Sequence, residues 1–185
     1  MNYKDLEEIN KELKTTDIKG KDYVEVNQRV KAFRKLYPEG FIDTIMLSNE
    51  NGICIFKAQI GTYEEDGSIK WLATGHAYEK ENSTFINKTS YIENCETSAV
   101  GRALGNMGIG IDVSIASAEE VQNAILQQDA EKTISNKMVE ALREAIGNNN
   151  IENETVIAAL EKLGHTKLAE LKDGELQKFR ESIGI

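Results

Sequence analysis

Residues 88–113, KTSYIENCETSAVGRALGNMGIGIDV, constrain the fold more than any other stretch. Ser90 and Glu93 stand three apart at the head of a periodic apolar segment. That is the spacing of a capping box and predicts a helix from about Tyr91. Ile92, Cys95, Ala99, Val100, Ala103, Leu104 and Met107 then recur at three- and four-residue steps and share one face. Much of the helix is small: Ala99, Gly101, Ala103 and Gly105 let it lie close against a sheet or another backbone. Arg102 is the one charged residue in the run 97–111. Gly108 and Gly110 follow Met107 and predict the stop.

The segments before this helix set its partner. Residues 3–14 read as an amphipathic helix with Leu6, Ile9 and Leu13 as its stripe, and TTDIKGK (15–21) as a loop broken at Gly20. Residues 23–37 read as a second helix, with Val26, Val30, Phe33 and Tyr37 on one face. Arg29, Lys31, Arg34 and Lys35 fall mostly off that face. Pro38 ends it. Three strand-like runs follow, 41–47, 53–63 and 69–79, separated by the turn signals SNENG and EEDG. In the middle run Ile53, Ile55 and Lys57 alternate with Cys54, Phe56, Ala58 and Ile60. A β-β-β-α order predicts an α+β fold: an antiparallel β-meander with the long helix packed on it, followed by a small all-α unit. Ser117 and Glu120 form a second capping box, for a helix to about Gln128. The expected division is a core at 1–128, a linker at 129–134 and three short helices at 135–185. Those three carry the stripes Met138/Leu142/Ile146, Val156/Leu160/Leu163 and Leu176/Phe179/Ile183.

Charge argues against an ordinary nucleic-acid binder, because the net is −9 over 185 residues. It is uneven, however. Residues 19–35 hold six basic side chains against Asp22 and Glu25, a local stripe of +4. Such a stripe can bind phosphate on an acidic protein, with strong salt sensitivity. No signal-peptide core opens the chain and no apolar run reaches the ~18 residues of a membrane span, so the expectation is a cytoplasmic protein. In that reducing setting Cys54 and Cys95 read as buried small hydrophobes.

Catalytic chemistry finds little support. The glycines 101, 105, 108 and 110 come at the end of a helix, whereas a dinucleotide fingerprint needs strand, glycine turn, then helix. No Walker A sequence is present. His76 and His165 lie in different units, without metal-ligand spacing, and His76 reads as a strand residue with an ordinary hydrogen bond. The expectation is no enzyme, no cofactor and no metal. What remains is a sheet-and-helix surface with cations and aromatic rings, the means by which single strands are held. The candidate contacts are Arg29, Lys31, Arg34, Lys35, Lys57, Lys70, Trp71, Lys88, Tyr91 and Arg102. For Arg102 and Lys57, a phosphate is one partner that would offset desolvation; Glu96 or another carboxylate is the structural alternative.

YVEVNQRVKAFRKLYPEG (23–40), the Lys57-Ala58 strand, Ala73-Thr74-Gly75-His76 and TSAVGRALGNMGIG together resemble the phage single-strand annealing proteins of the Sak/Erf group. More distantly they resemble the eukaryotic RAD-type annealing fold. The likeness covers about residues 20–120. It implies a β-β-β-α core assembled side by side into rings, with single-stranded DNA in an outer groove and its bases presented for pairing. Arg102 matches the basic residue of the family's helix triplet. Gly101 and Gly105 stand where distant relatives place further cations, so this helix carries less positive charge. The expected function is ATP-independent annealing of single-stranded DNA in phage recombination. Residues 135–185 would dock a host single-strand-binding protein or recombinase. The rivals are a protein that only coats single strands, an oligomeric interaction protein that docks on a host factor without DNA, and a hydrolase using carboxylates and Mg²⁺.

Overall fold

The structure, a computed structural model, describes residues 3–185. The chain divides into two units, Met1–Ala124 and Ile125–Ile185.

The first unit is α+β. Helix α1 (Tyr3–Lys11) is followed by a two-stranded hairpin, β1 (Thr15–Ile18) and β2 (Lys21–Val24), and then helix α2 (Val26–Leu36). The hairpin replaces the loop expected at 15–21. Its two-residue turn, Lys19-Gly20, takes φ of 53° and 81°, the positive pair that a tight hairpin of matching twist needs. A lysine at the first of these positions hid the turn. Tyr23 and Val24 belong to β2, so α2 starts three residues later than the periodicity predicts.

Strands β3 (Phe41–Glu50), β4 (Ile53–Tyr63) and β5 (Ile69–Lys80) form an antiparallel sheet in the order β3-β4-β5. Helix α3 (Asn87–Asn106) packs on one face of it. The core there is Cys54, Phe56, Ala58 and Ile60 from β4 against Cys95, Ala99, Ala103 and Leu104 from α3. The close approach read from the small residues is real, and Gly75 completes it. A Cβ on Gly75 would stand 2.4 Å from the Ala103 nitrogen and 2.6 Å from the Ala99 oxygen. Both thiols are free and buried, and burial, with Cys54 beside it, pushes the Cys95 thiol up to about 12.

Two helical segments meet in α3 at Ser90, which takes non-helical angles (φ −136°, ψ 27°): a short one that starts early, at Asn87, and the long one that begins at Tyr91, where the spacing predicts it. The early start has a polar cause. The buried Asn87 donates through Nδ2 to Glu79 Oε2 at 2.6 Å and to Ser83 Oγ at 2.9 Å. The second capping box forms as read. The Ser117 amide donates to Glu120 Oε2 (2.9 Å) and the Glu120 amide to Ser117 Oγ (3.3 Å), opening α4 (Ala118–Ala130).

The second unit holds α5 (Asn136–Asn148), α6 (Asn153–Lys162) and α7 (Leu176–Ile183), with two short 3-10 turns between α6 and α7. Leu142, Leu160, Leu171, Phe179 and Ile183 form its core. Residues 133 and 134 are tied into it: Thr133 bridges Lys172, the Ile134 amide donates to the Leu171 carbonyl, and Ile134 is buried. No helix among the described residues is long and apolar enough to cross a membrane.

Candidate nucleic-acid interface

Strand parity separates the two faces of the sheet. The even positions of β4 meet α3, and the odd positions face the other way. Directly opposed residues share a face, so the register maps that open face row by row. Ile45, Lys57 and His76 form one row, and Ser48, Ile55 and Tyr78 the next. Asp43, Gln59 and Thr74 lie on the other side of Lys57, followed by Phe41, Gly61 and Trp71. Ile45, Tyr63, Trp71 and Tyr78 are exposed.

At one end of this face three rings gather. Phe41 lies 5.3 Å from Tyr63 and 5.5 Å, edge-on, from Trp71. Gly61 makes room for them, because a Cβ there would stand 2.4 Å from Phe41 Cζ. Trp71 keeps about half its surface (50%) in solvent and Tyr63 57%. Lys57 sits in the central strand, and no ion pair involves it among the described residues. Asp43 and Glu50 balance Lys57 and Lys80 across the face. This face therefore presents exposed rings and no excess of charge.

The other residues singled out in the sequence are dispersed. Arg29 is the clear correction. The periodicity of α2 places it off the apolar face, among the surface cations, yet it is fully buried. Its Nη1 donates to the carbonyls of Gly101 and Ile115, both at 2.7 Å. Its Nη2 donates to those of Ser114 (2.6 Å) and Ala116 (3.2 Å). Gly105 leaves the space, since a Cβ there would stand 2.4 Å from Nη1. Burial lowers the guanidinium's pKa, Glu120 and Glu119 push it back up, and Arg102 adds to the lowering. The small residues of α3 thus serve two partners: Gly75 of the sheet meets Ala99 and Ala103, while Gly101 and Gly105 abut α2.

Arg102 meets a carboxylate, though not Glu96. Glu120 Oε1 accepts from its Nε at 3.1 Å and from its Nη2 at 2.5 Å. Glu96 instead accepts from Thr44. Lys35 pairs with Glu12 and Lys70 with Glu64, and Arg34 donates to the Gly40 carbonyl. Tyr91 is half-buried and donates its hydroxyl to Asn49. Lys31 and Lys88 are exposed, without an ion pair among the described residues. Of the ten candidates only Lys57 and Trp71 fall on the open sheet face. His76 lies there too, exposed and without the hydrogen bond expected of it among the described residues.

Phe41, Tyr63 and Tyr78 were not singled out in the sequence. The parity of β4 hints at them, but bulges at Leu47 and Leu72 shift the registers of both outer strands. Among the described residues no three His, Cys, Asp or Glu side chains cluster in a way suited to a metal ion.

Residues 30–107 match the model of a family described as Slr1353 N-terminal dsRNA-binding domain-like. The matched region is less than half of the chain and runs from α2 to just past the end of α3, so it includes the whole three-stranded sheet. No curated protein matches the chain.

Proposed function

We propose that this chain binds nucleic acid and acts on single strands, promoting the pairing of complementary DNA without ATP. One observation carries the reading: the region similar to a nucleic-acid-binding domain family is the region whose open sheet face displays Lys57 and Trp71 beside Tyr63, His76 and Tyr78. Rings stack on bases regardless of sequence, at about 1–3 kcal/mol per base, and a nearby cation meets phosphate. A strand held that way keeps its pairing edges free. The product duplex, at ~1.4 kcal/mol per stacked step, supplies the driving force. The reading involves no chemical step and no cofactor. It includes self-assembly into a ring and a docking role for residues 135–185 toward a host single-strand-binding protein or recombinase.

A second reading follows from the words of the family description: the sheet and its helix bind duplex RNA by shape. Annealing of two labelled complementary oligonucleotides, with and without protein and at two salt concentrations, separates the two. Acceleration that Lys57→Ala and Trp71→Ala both reduce supports the annealing reading. Tight duplex-RNA binding without acceleration transfers support to the second. Neither effect leaves a protein that docks on other proteins.

A further inference from the structure

Between β5 and α3 the chain presents an aromatic ring almost wholly to water. Phe85 is 86% exposed and Ile86 beside it 48%. This loop is not loose. Beyond its bonds to Glu79 and Ser83, the buried Asn87 receives the Thr84 hydroxyl as acceptor for its amide at 3.0 Å. Its Oδ1 accepts from Asn94 Nδ2 at 2.7 Å. Ser83 Oγ donates to the Lys80 carbonyl, and the Asn82 amide to the Asn87 carbonyl. Asn82 takes a left-handed φ of 60°. Glu79 is itself buried, so the loop is anchored by a carboxylate and an amide withdrawn from water. Burying such groups is costly unless they are satisfied, and here they fix a loop whose tip gains nothing from burial. Fixing the backbone that carries an exposed apolar ring removes part of the ordering cost of binding to it.

The flanking charge indicates the occupant. Lys80 lies five residues before the tip and Lys88 three after it, both exposed and outside any ion pair among the described residues, while Glu81 is turned against Gly52. A nucleotide matches both features, its base offering a π-face to the ring and its phosphate a charge to the lysines. We propose that Phe85 is a stacking residue for an unpaired nucleobase, at a subsite set by the β5–α3 loop and separate from the Phe41/Tyr63/Trp71 cluster. The proposal rests on the nucleic-acid reading above.

The test measures binding of the full chain to an oligothymidylate and to an abasic strand of equal length, with Phe85→Ala, Phe85→Leu and Phe85→Trp. The alanine variant should lose roughly 5- to 100-fold in affinity for the oligothymidylate. Leucine should lose nearly as much, tryptophan should retain parental affinity, and the abasic strand should bind all four proteins alike. Parental affinity in Phe85→Ala overturns the proposal, as does retention by Phe85→Leu or an equal loss on both strands. A change in assembly mass accompanying the loss also overturns it, because the occupant is then a second copy. If the parent binds neither strand, the nucleic-acid reading itself fails, an outcome distinct from failure at Phe85 alone.

Discussion

Arg29→Met asks whether this buried cation holds the first unit together. Methionine keeps the aliphatic stem and removes the guanidinium fork. Four N–H donations to the carbonyls of Gly101, Ser114, Ile115 and Ala116 are lost. At about 1.5 kcal/mol for each bond from a charged donor, the gross loss is about 6 kcal/mol. Removing a charge from a buried site returns several kcal/mol of desolvation. The net destabilisation should be about 2–4 kcal/mol, a large share of a typical domain's stability. Lysine at this position should restore little, because one ammonium cannot reproduce the fork. Trp71, the only tryptophan, lies in the first unit, so its fluorescence during urea unfolding reads this unit alone. A loss below about 0.5 kcal/mol would refute the reasoning. So would a stable variant with reduced nucleic-acid affinity, since that result would make Arg29 a surface contact after all.

Gly75→Ala should destabilise the sheet–helix contact by about 1–3 kcal/mol in the same unfolding assay, because the added methyl meets backbone of α3 that cannot move aside. Both Glu119 carboxylate oxygens accept from the Val26 amide at the start of α2, at 3.0 and 3.1 Å. Glu119→Ala should cost about 1 kcal/mol and Glu119→Gln less, as read by thermal melting. In the second unit, burial raises the Glu175 carboxyl, but the Lys172 amide and His165 together outweigh it and hold the group below its ordinary value of 4.5. A depressed carboxylate contributes stability above the ordinary value, and that contribution is lost as pH falls through the folded one. The protection factor of the Ile134 amide, its intrinsic exchange rate at each pH divided by the observed one, should therefore fall as the solution is acidified below about pH 4.5, and Glu175→Gln should remove that component of the pH dependence.

Local chemistry made most of the secondary structure legible. The alternation in β4, the turn at Asn51-Gly52, the Ser117/Glu120 box and the three apolar stripes of the second unit each arise within a few residues of chain. The small residues of α3 announced a close approach, and periodicity placed Cys95, Ala99, Ala103 and Leu104 on the buried side. The α+β class followed from element order alone.

What surrounds a side chain was decided only in three dimensions. Arg29 is one residue in a helix whose other cations are exposed, and nothing nearby in sequence marks it as buried. Its partners lie 72 to 87 residues away, and the space for it is a glycine on another helix. Arg102 likewise finds Glu120 only because the chain returns after α3. The open sheet face shows the same limit. In a regular strand Trp71 and Ala73 would point the same way, but the extra residue Leu72 sets Trp71 opposite Gly61 and Ala73 opposite Ile60, on opposite faces. A periodicity records which residues alternate; only the register against a neighbouring strand determines which of them meet.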